Sequence, residues 1–206
     1  MSSLTHCNYK PLVDKIKRES GERSFPIWLL FNPKHPIVSD YIWTPVLTVI
    51  QDMVYRELHT RIDTTNIYFR NVVSDSAIVP NMARWWDAQV DTEIKLFKEL
   101  VVEHKPTILI TFGAFPYEFV RRVYEIEPKK GPKSWGNSKL TEEFGKSIAN
   151  FDINNTNRIP LLRRMASTRE YKEEQNQNYF ENYIHYVGTK IAEKIIENKD
   201  NLNIWI

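Results

Sequence analysis

The chain carries a single cysteine, Cys7, in 206 residues. It can build neither an internal disulfide nor a thiolate metal cluster, and one unpaired thiol suits a reducing compartment. Long apolar runs are missing too. Nothing approaches the roughly 20 residues that a membrane helix needs, and the first ten residues lack the apolar core of a secretion signal. The expectation is a cytoplasmic protein without membrane contact. Glycine is scarce, six in all. None falls in a Gly-x-Ser-x-Gly elbow, a Gly-x4-Gly-Lys phosphate loop or a Gly-x-Gly-x-x-Gly turn, which argues against an unrelated hydrolase on a doubly wound sheet. His6, His59, His104 and His185 are scattered, with no cysteine or carboxylate at ligand spacing. No metal and no cofactor is therefore expected.

A large charge excess is also lacking, the formal net charge being +2. A protein that coats long nucleic acid is usually far more basic. The basic residues nevertheless cluster: Arg121 and Arg122, then Lys129, Lys130 and Lys133, then Arg158, Arg163, Arg164 and Arg169. Such a run is either a solvated face or a small local footprint for phosphates.

What is present suffices for a packed core. Hydrophobic residues make up 42% and aromatic residues 13%, so a disordered chain is excluded and one domain spanning residues 1–206 is expected. Four apolar runs read as strands covered on both faces: 25–31, 66–73, 107–112 and 158–162. Pro160 lies inside the last, which marks an edge strand or a strand start, since proline gives no ladder donor. Helical stripes alternate with these runs. They are Val46, Ile50, Val54 and Leu58; Trp86, Val90, Ile94, Phe97 and Val101; Phe115, Phe119 and Val123; and Tyr183, Val187, Ile191 and Ile195. A helix over about 12–19 precedes them. Pro106 suits the end of the second stripe. Residues 127–157, rich in Pro, Gly, Asn and Lys, read as a long surface excursion. The apolar C-terminal segment from Asn201 is expected to pack back onto the protein. Alternating strands and helices predict an α/β fold: three layers, a four-stranded parallel sheet flanked by helices.

In such a sheet ligands bind beyond the carboxyl ends of the strands. After the first run stand Asn32, Pro33, Lys34, His35 and Pro36. Asn32 offers donors and an acceptor; the alternative is that Asn32 caps a turn and His35 is an exposed histidine. Asn71 is an amide inside an apolar run. It must be hydrogen-bonded to protein or to ligand, and a carboxamide can pair with a base edge. Gly113 reads as a tight strand-to-helix turn. After the fourth run, Arg164, Met165, Ser167 and Arg169 border the same rim; the hydroxyl and the cations suit phosphate contacts, while Met165 also suits core filling.

Taken together, these strand ends resemble the uracil-DNA glycosylase superfamily. That family places Asp-Pro or Asn-Pro after its first strand, as Asn32-Pro33 stands here. Its uracil-specific branch follows with an aromatic and a histidine; Lys34 replaces the aromatic and His35 keeps the histidine. The family's base-recognising asparagine ends the second strand, as Asn71 does. Met165-Ala166-Ser167 is similar to the Met-Pro-Ser form of the mismatch thymine branch, with Ala166 in place of proline and no histidine in that motif. The segment from Asp91 to Val120 also resembles the family's central helix and third strand.

The resemblance implies a glycosylase-like fold and DNA as partner. It implies hydrolysis of the N-glycosidic bond of a flipped base, uracil or related. Asn32 and His35 would be catalytic, Asn71 would read the base, and Tyr41 or Trp43 would stack on it. Asp40 is a further carboxylate near the first motif. Arg164, Met165, Ser167 and Arg169 would contact the DNA. A monomer is expected. The alternative on the same fold is a non-catalytic nucleobase- or nucleic-acid-binding protein.

Overall fold

The computed structural model describes residues 19–35, 38–79, 86–131, 134–163 and 173–206. The expected helix over 12–19 lies outside these residues, except that Glu19 opens a strand. The chain forms β1 (Glu19–Ser20), β2 (Ile27–Phe31), α1 (Thr44–Leu58), β3 (Tyr68–Asn71), α2 (Ala88–His104), β4 (Ile108–Phe112), α3 (Ala114–Val123), α4 (Asn137–Ala149), β5 (Asn157–Leu161) and α5 (Glu173–Glu197). All four anticipated strands form. The sheet has five, however, because two-residue β1 pairs antiparallel with β3 at its edge, in the order β1-β3-β2-β4-β5. The other pairings are parallel. A strand of two residues is too short to show an alternating pattern, so the sequence gives no sign of it.

The pleat divides the core in two. Ile27, Leu29 and Phe31 point to one face, with Val46, Ile50 and Val54 of α1, Leu140, Phe144 and Ile148 of α4, and Val187 and Ile191 of α5. Trp28 and Leu30 point to the other, with Val90, Phe97 and Val101 of α2 and Phe115, Phe119 and Val123 of α3. Helices therefore cover both faces, and every residue of β2 and β4 is buried. None of the helices among the described residues is long and apolar enough to cross a membrane.

Helix ends follow local chemistry. Asp87 caps α2, its carboxylate accepting from the N–H groups of Gln89 and Val90 at 3.1 Å. The helix closes at Lys105 in the left-handed region, and Pro106 follows. Two expectations need correction. Trp86 precedes α2 and does not join its stripe; its ring lies edge-on to Phe115 at 5.8 Å, and the Arg122 guanidinium sits over it at 3.7 Å. The excursion over 127–157 contains α4, a 13-residue helix. The C-terminal segment packs back: Leu202 and Ile204 are buried, and Asp63 N–H donates to Ile204 O at 2.7 Å. Pro160 sits in β5, which is an edge strand.

Candidate functional site

The chain runs outward from β2 to β3, then returns to the far side of β2 to place β4 and β5. The loops after β2 and β4 thus leave the sheet in opposite directions, α1 lying on one face and α3 on the other. Such a reversal of strand order opens a crevice at the carboxyl ends of the two strands.

Four strand ends meet there. Phe31 pairs in register with Asn71, so Asn32, one residue on, and Asn71 share a rim. Val72 N–H continues the ladder to Phe31 O at 2.9 Å. Asn32 makes an Asx turn: its Oδ1 accepts from Lys34 N–H at 3.0 Å, and its carbonyl accepts from His35 N–H at 2.9 Å. Lys34 Nζ reaches Val79 O at 3.0 Å, tying the turn to the segment after β3. Gly113 follows β4 with φ +85°, and its N–H donates to Leu161 O at 2.8 Å. Beyond β5, Leu162 N–H donates to the Tyr183 hydroxyl at 2.8 Å. Arg163 then turns back across β4, its guanidinium meeting the His35 ring.

Asn71 is half-buried. Its neighbour Arg70 turns towards α2, with its guanidinium 3.5 Å from Glu93 and 5.3 Å from the Phe97 ring centroid. Alternation therefore sends Asn71 to the α1 face, beside Phe31. Glu93, 8% exposed, also accepts from Ser74 N–H at 2.9 Å and fixes the backbone just past Asn71.

Below the rim on that face lies a row of three rings. Phe31 stacks on Phe112 at 4.6 Å and on Phe69 at 6.0 Å, both pairs 7° from parallel. The sequence reading missed this aromatic row. Its only signal is a phenylalanine ending two separate apolar runs. The expected stacking role of Trp43 is corrected: Trp43 is 4% exposed and packs edge-on to Phe112 at 6.4 Å, inside the core. A single helical turn over Ser39–Trp43 causes this, since it leaves Asp40 and Tyr41 in solvent and turns Ile42 and Trp43 into the core. Tyr41 on the same turn is 66% exposed. Asp40 is exposed and accepts from the Ser39 hydroxyl at 3.2 Å.

The structure thus gathers Asn32, His35 and Asn71 at one rim, and adds Gly113 and Arg163. Arg164, Met165, Ser167 and Arg169 lie outside the described residues. No three His, Cys, Asp or Glu side chains cluster to hold a metal among the described residues. No protein-family model and no curated protein sequence matches the chain.

Proposed function

We propose that this chain is a uracil-DNA glycosylase-like protein that hydrolyses the N-glycosidic bond of a flipped, damaged or mismatched base in DNA. The observation that supports it is the register of Phe31 with Asn71, which sets Asn32 and Asn71 at one rim beside the strand-order reversal. A base inside a duplex is out of reach, so it is flipped out, at a cost of a few kcal/mol that is least at a mismatch. The Asn71 carboxamide supplies a donor and an acceptor in one plane for the base edge. The exposed Tyr41 ring is free to stack.

When the sugar–base bond breaks, its electron pair leaves with the base and positive charge develops on the sugar. Asn32 Oδ1 keeps one lone pair beside its bond to Lys34 N–H, and that lone pair orients the attacking water. His35 meets the Arg163 guanidinium at this rim. An imidazole at this rim can donate to the departing base or hold a phosphate. Arg163 stands at this rim, and cations and a hydroxyl such as those of Arg164, Ser167 and Arg169, which follow it in the sequence beside Met165, suit contacts to the DNA backbone.

A second reading, a nucleobase-binding protein without catalysis, is favoured by Asn32 itself. A carboxamide cannot ionise, and its oxygen is already engaged by Lys34 N–H. One experiment separates the two. Oligonucleotides carrying uracil, mismatched thymine, hypoxanthine or xanthine are incubated with the protein and then treated with alkali. Strand breaks that vanish in Asn32→Ala and Asn71→Ala support hydrolysis. Intact strands with salt-sensitive, base-dependent binding support the second reading. Neither breaks nor binding overturns both.

A further inference from the structure

At the opposite end of the sheet, around the start of β5, a cleft of about 590 Å³ opens between α3, α4 and the 150–158 turn. Its origin is architectural. β5 is an edge strand, with no neighbour on its outer side. α3 and α4 pack mainly on opposite faces of the sheet, so they part where the sheet ends.

Ile159 and Leu161 point to the α4 face, so the pleat sends Arg158 to the α3 face. There its guanidinium lies over the Tyr124 ring, 4.9 Å from the centroid. The strand is held at this point. Ser147 Oγ donates to Arg158 O at 2.9 Å, supplying the outer bond that a missing strand would give. The turn before it is fixed by Asn157, whose buried amide donates to the carbonyls of Thr107, Asp152 and Asn155 at 2.8–3.0 Å.

The other charges of the cleft are already matched. Arg121 donates to Glu118 and to Pro128 O, both at 3.2 Å. Lys146 pairs with Glu142 at 2.7 Å and Glu143 at 3.0 Å. Glu143 also accepts from the Tyr117 hydroxyl at 2.9 Å, and Asp152 accepts from Asn154 N–H at 2.9 Å. Only Arg158, half-buried, has no carboxylate within ion-pairing distance among the described residues. A guanidinium presents five donors in a rigid fork suited to a carboxylate or a phosphate. Here that fork faces a walled cleft of small-molecule size, stacked in place on an aromatic face.

We infer that this cleft binds a small soluble molecule through an oxyanion group, phosphate or carboxylate, with Arg158 as the residue that reads the anion. The site stands apart from the Asn32–Asn71 rim and does not rest on the glycosylase reading.

Inorganic phosphate and succinate serve as separate probes, titrated calorimetrically into the full chain and followed by amide NMR shifts. Saturable binding of at least one probe is expected, with shifts centred on Asn155, Thr156 and Arg158, and the tighter probe identifies the oxyanion. Arg158→Gln should weaken it about ten- to a hundredfold, the value of a charge-assisted bond. Arg158→Lys should recover part of that loss. The proposal is overturned if neither probe saturates at millimolar concentration, if Arg158→Gln binds as wild type does, or if the shifts fall at the Asn32–Asn71 rim. The wild-type shift map decides the matter even should Arg158→Gln fail to fold.

Discussion

Arg163, just beyond β5, reaches the ring of His35, in the turn after β2. The two strands are not neighbours. β4 lies between them, so the link must pass over the end of β4. Gly113 stands at that point, and a Cβ added there would lie 2.9 Å from Arg163 Cβ.

Gly113→Ala is therefore expected to fail twice. Its φ of +85° with ψ of −176° is a region that essentially only glycine adopts. The new methyl group also displaces Arg163 from His35. The loss is about 1–3 kcal/mol, read as a lower urea midpoint. An unchanged midpoint would refute this account of the rim.

Glu118 is fully buried and accepts four hydrogen bonds: from Arg121 at 3.2 Å, Arg122 at 3.1 Å, Trp135 Nε1 at 2.9 Å and Lys130 N–H at 2.8 Å. It fastens the segment before α4 onto α3. Glu118→Ala leaves two guanidinium groups without their carboxylate and should cost about 3–5 kcal/mol. Loss of the Trp135 contact should shift the tryptophan emission to the red. A variant as stable as wild type would show that the segment is held by other contacts.

Alkali should destabilise the fold from about pH 10 upward. Burial, followed by the hydrogen bond to Glu19, pushes the Tyr68 hydroxyl up to about 12. Burial is also the main cause that raises Tyr117, Tyr124 and Tyr183. The unfolded chain loses these protons first, so their contribution is complete below the ordinary tyrosine value and falls as pH climbs towards the folded one. Each such group removes up to ~1.4 kcal/mol per pH unit in that window. Tyrosinate absorbance followed against pH should show a late group of hydroxyls that ionises together with unfolding. Ten tyrosines titrating as one ordinary class would contradict the burial of these four.

Glu93→Ala should loosen the backbone past Asn71, because Glu93 holds both Ser74 N–H and Arg70. The stability cost is about 1–3 kcal/mol, that of leaving buried partners unmatched. On the proposed function it should also weaken base recognition at Asn71 with the Asn32 turn intact. Equal affinity for base-bearing oligonucleotides in variant and wild type would separate Glu93 from the site.

Much of the architecture was legible because its signals are local. A run of five residues, all or all but one of them apolar, followed by Asn32 or by Gly113 identifies a strand and its carboxyl end without reference to the rest of the chain. α4 was not legible. Only Leu140, Phe144 and Ile148 mark its buried side, the residue before it is Gly136 with no capping side chain, and the preceding stretch is rich in proline, glycine and lysine. Trp43 was misjudged for a related reason. An aromatic near a loop looks available for stacking, yet one helical turn places Tyr41 in solvent and Trp43 in the core.

By itself, the order of residues determined four of the five strands, most of the helices and the polar groups at the strand ends, since hydrophobic period and turn chemistry act over a few residues. Tertiary structure alone decided that β2 lies between β3 and β4, that Arg163 crosses to His35, and that Arg158, in a cleft at the far edge, has no carboxylate partner among the described residues. These outcomes depend on which surfaces bury one another across distant parts of the chain, and the balance of such contacts is set only when the whole core closes.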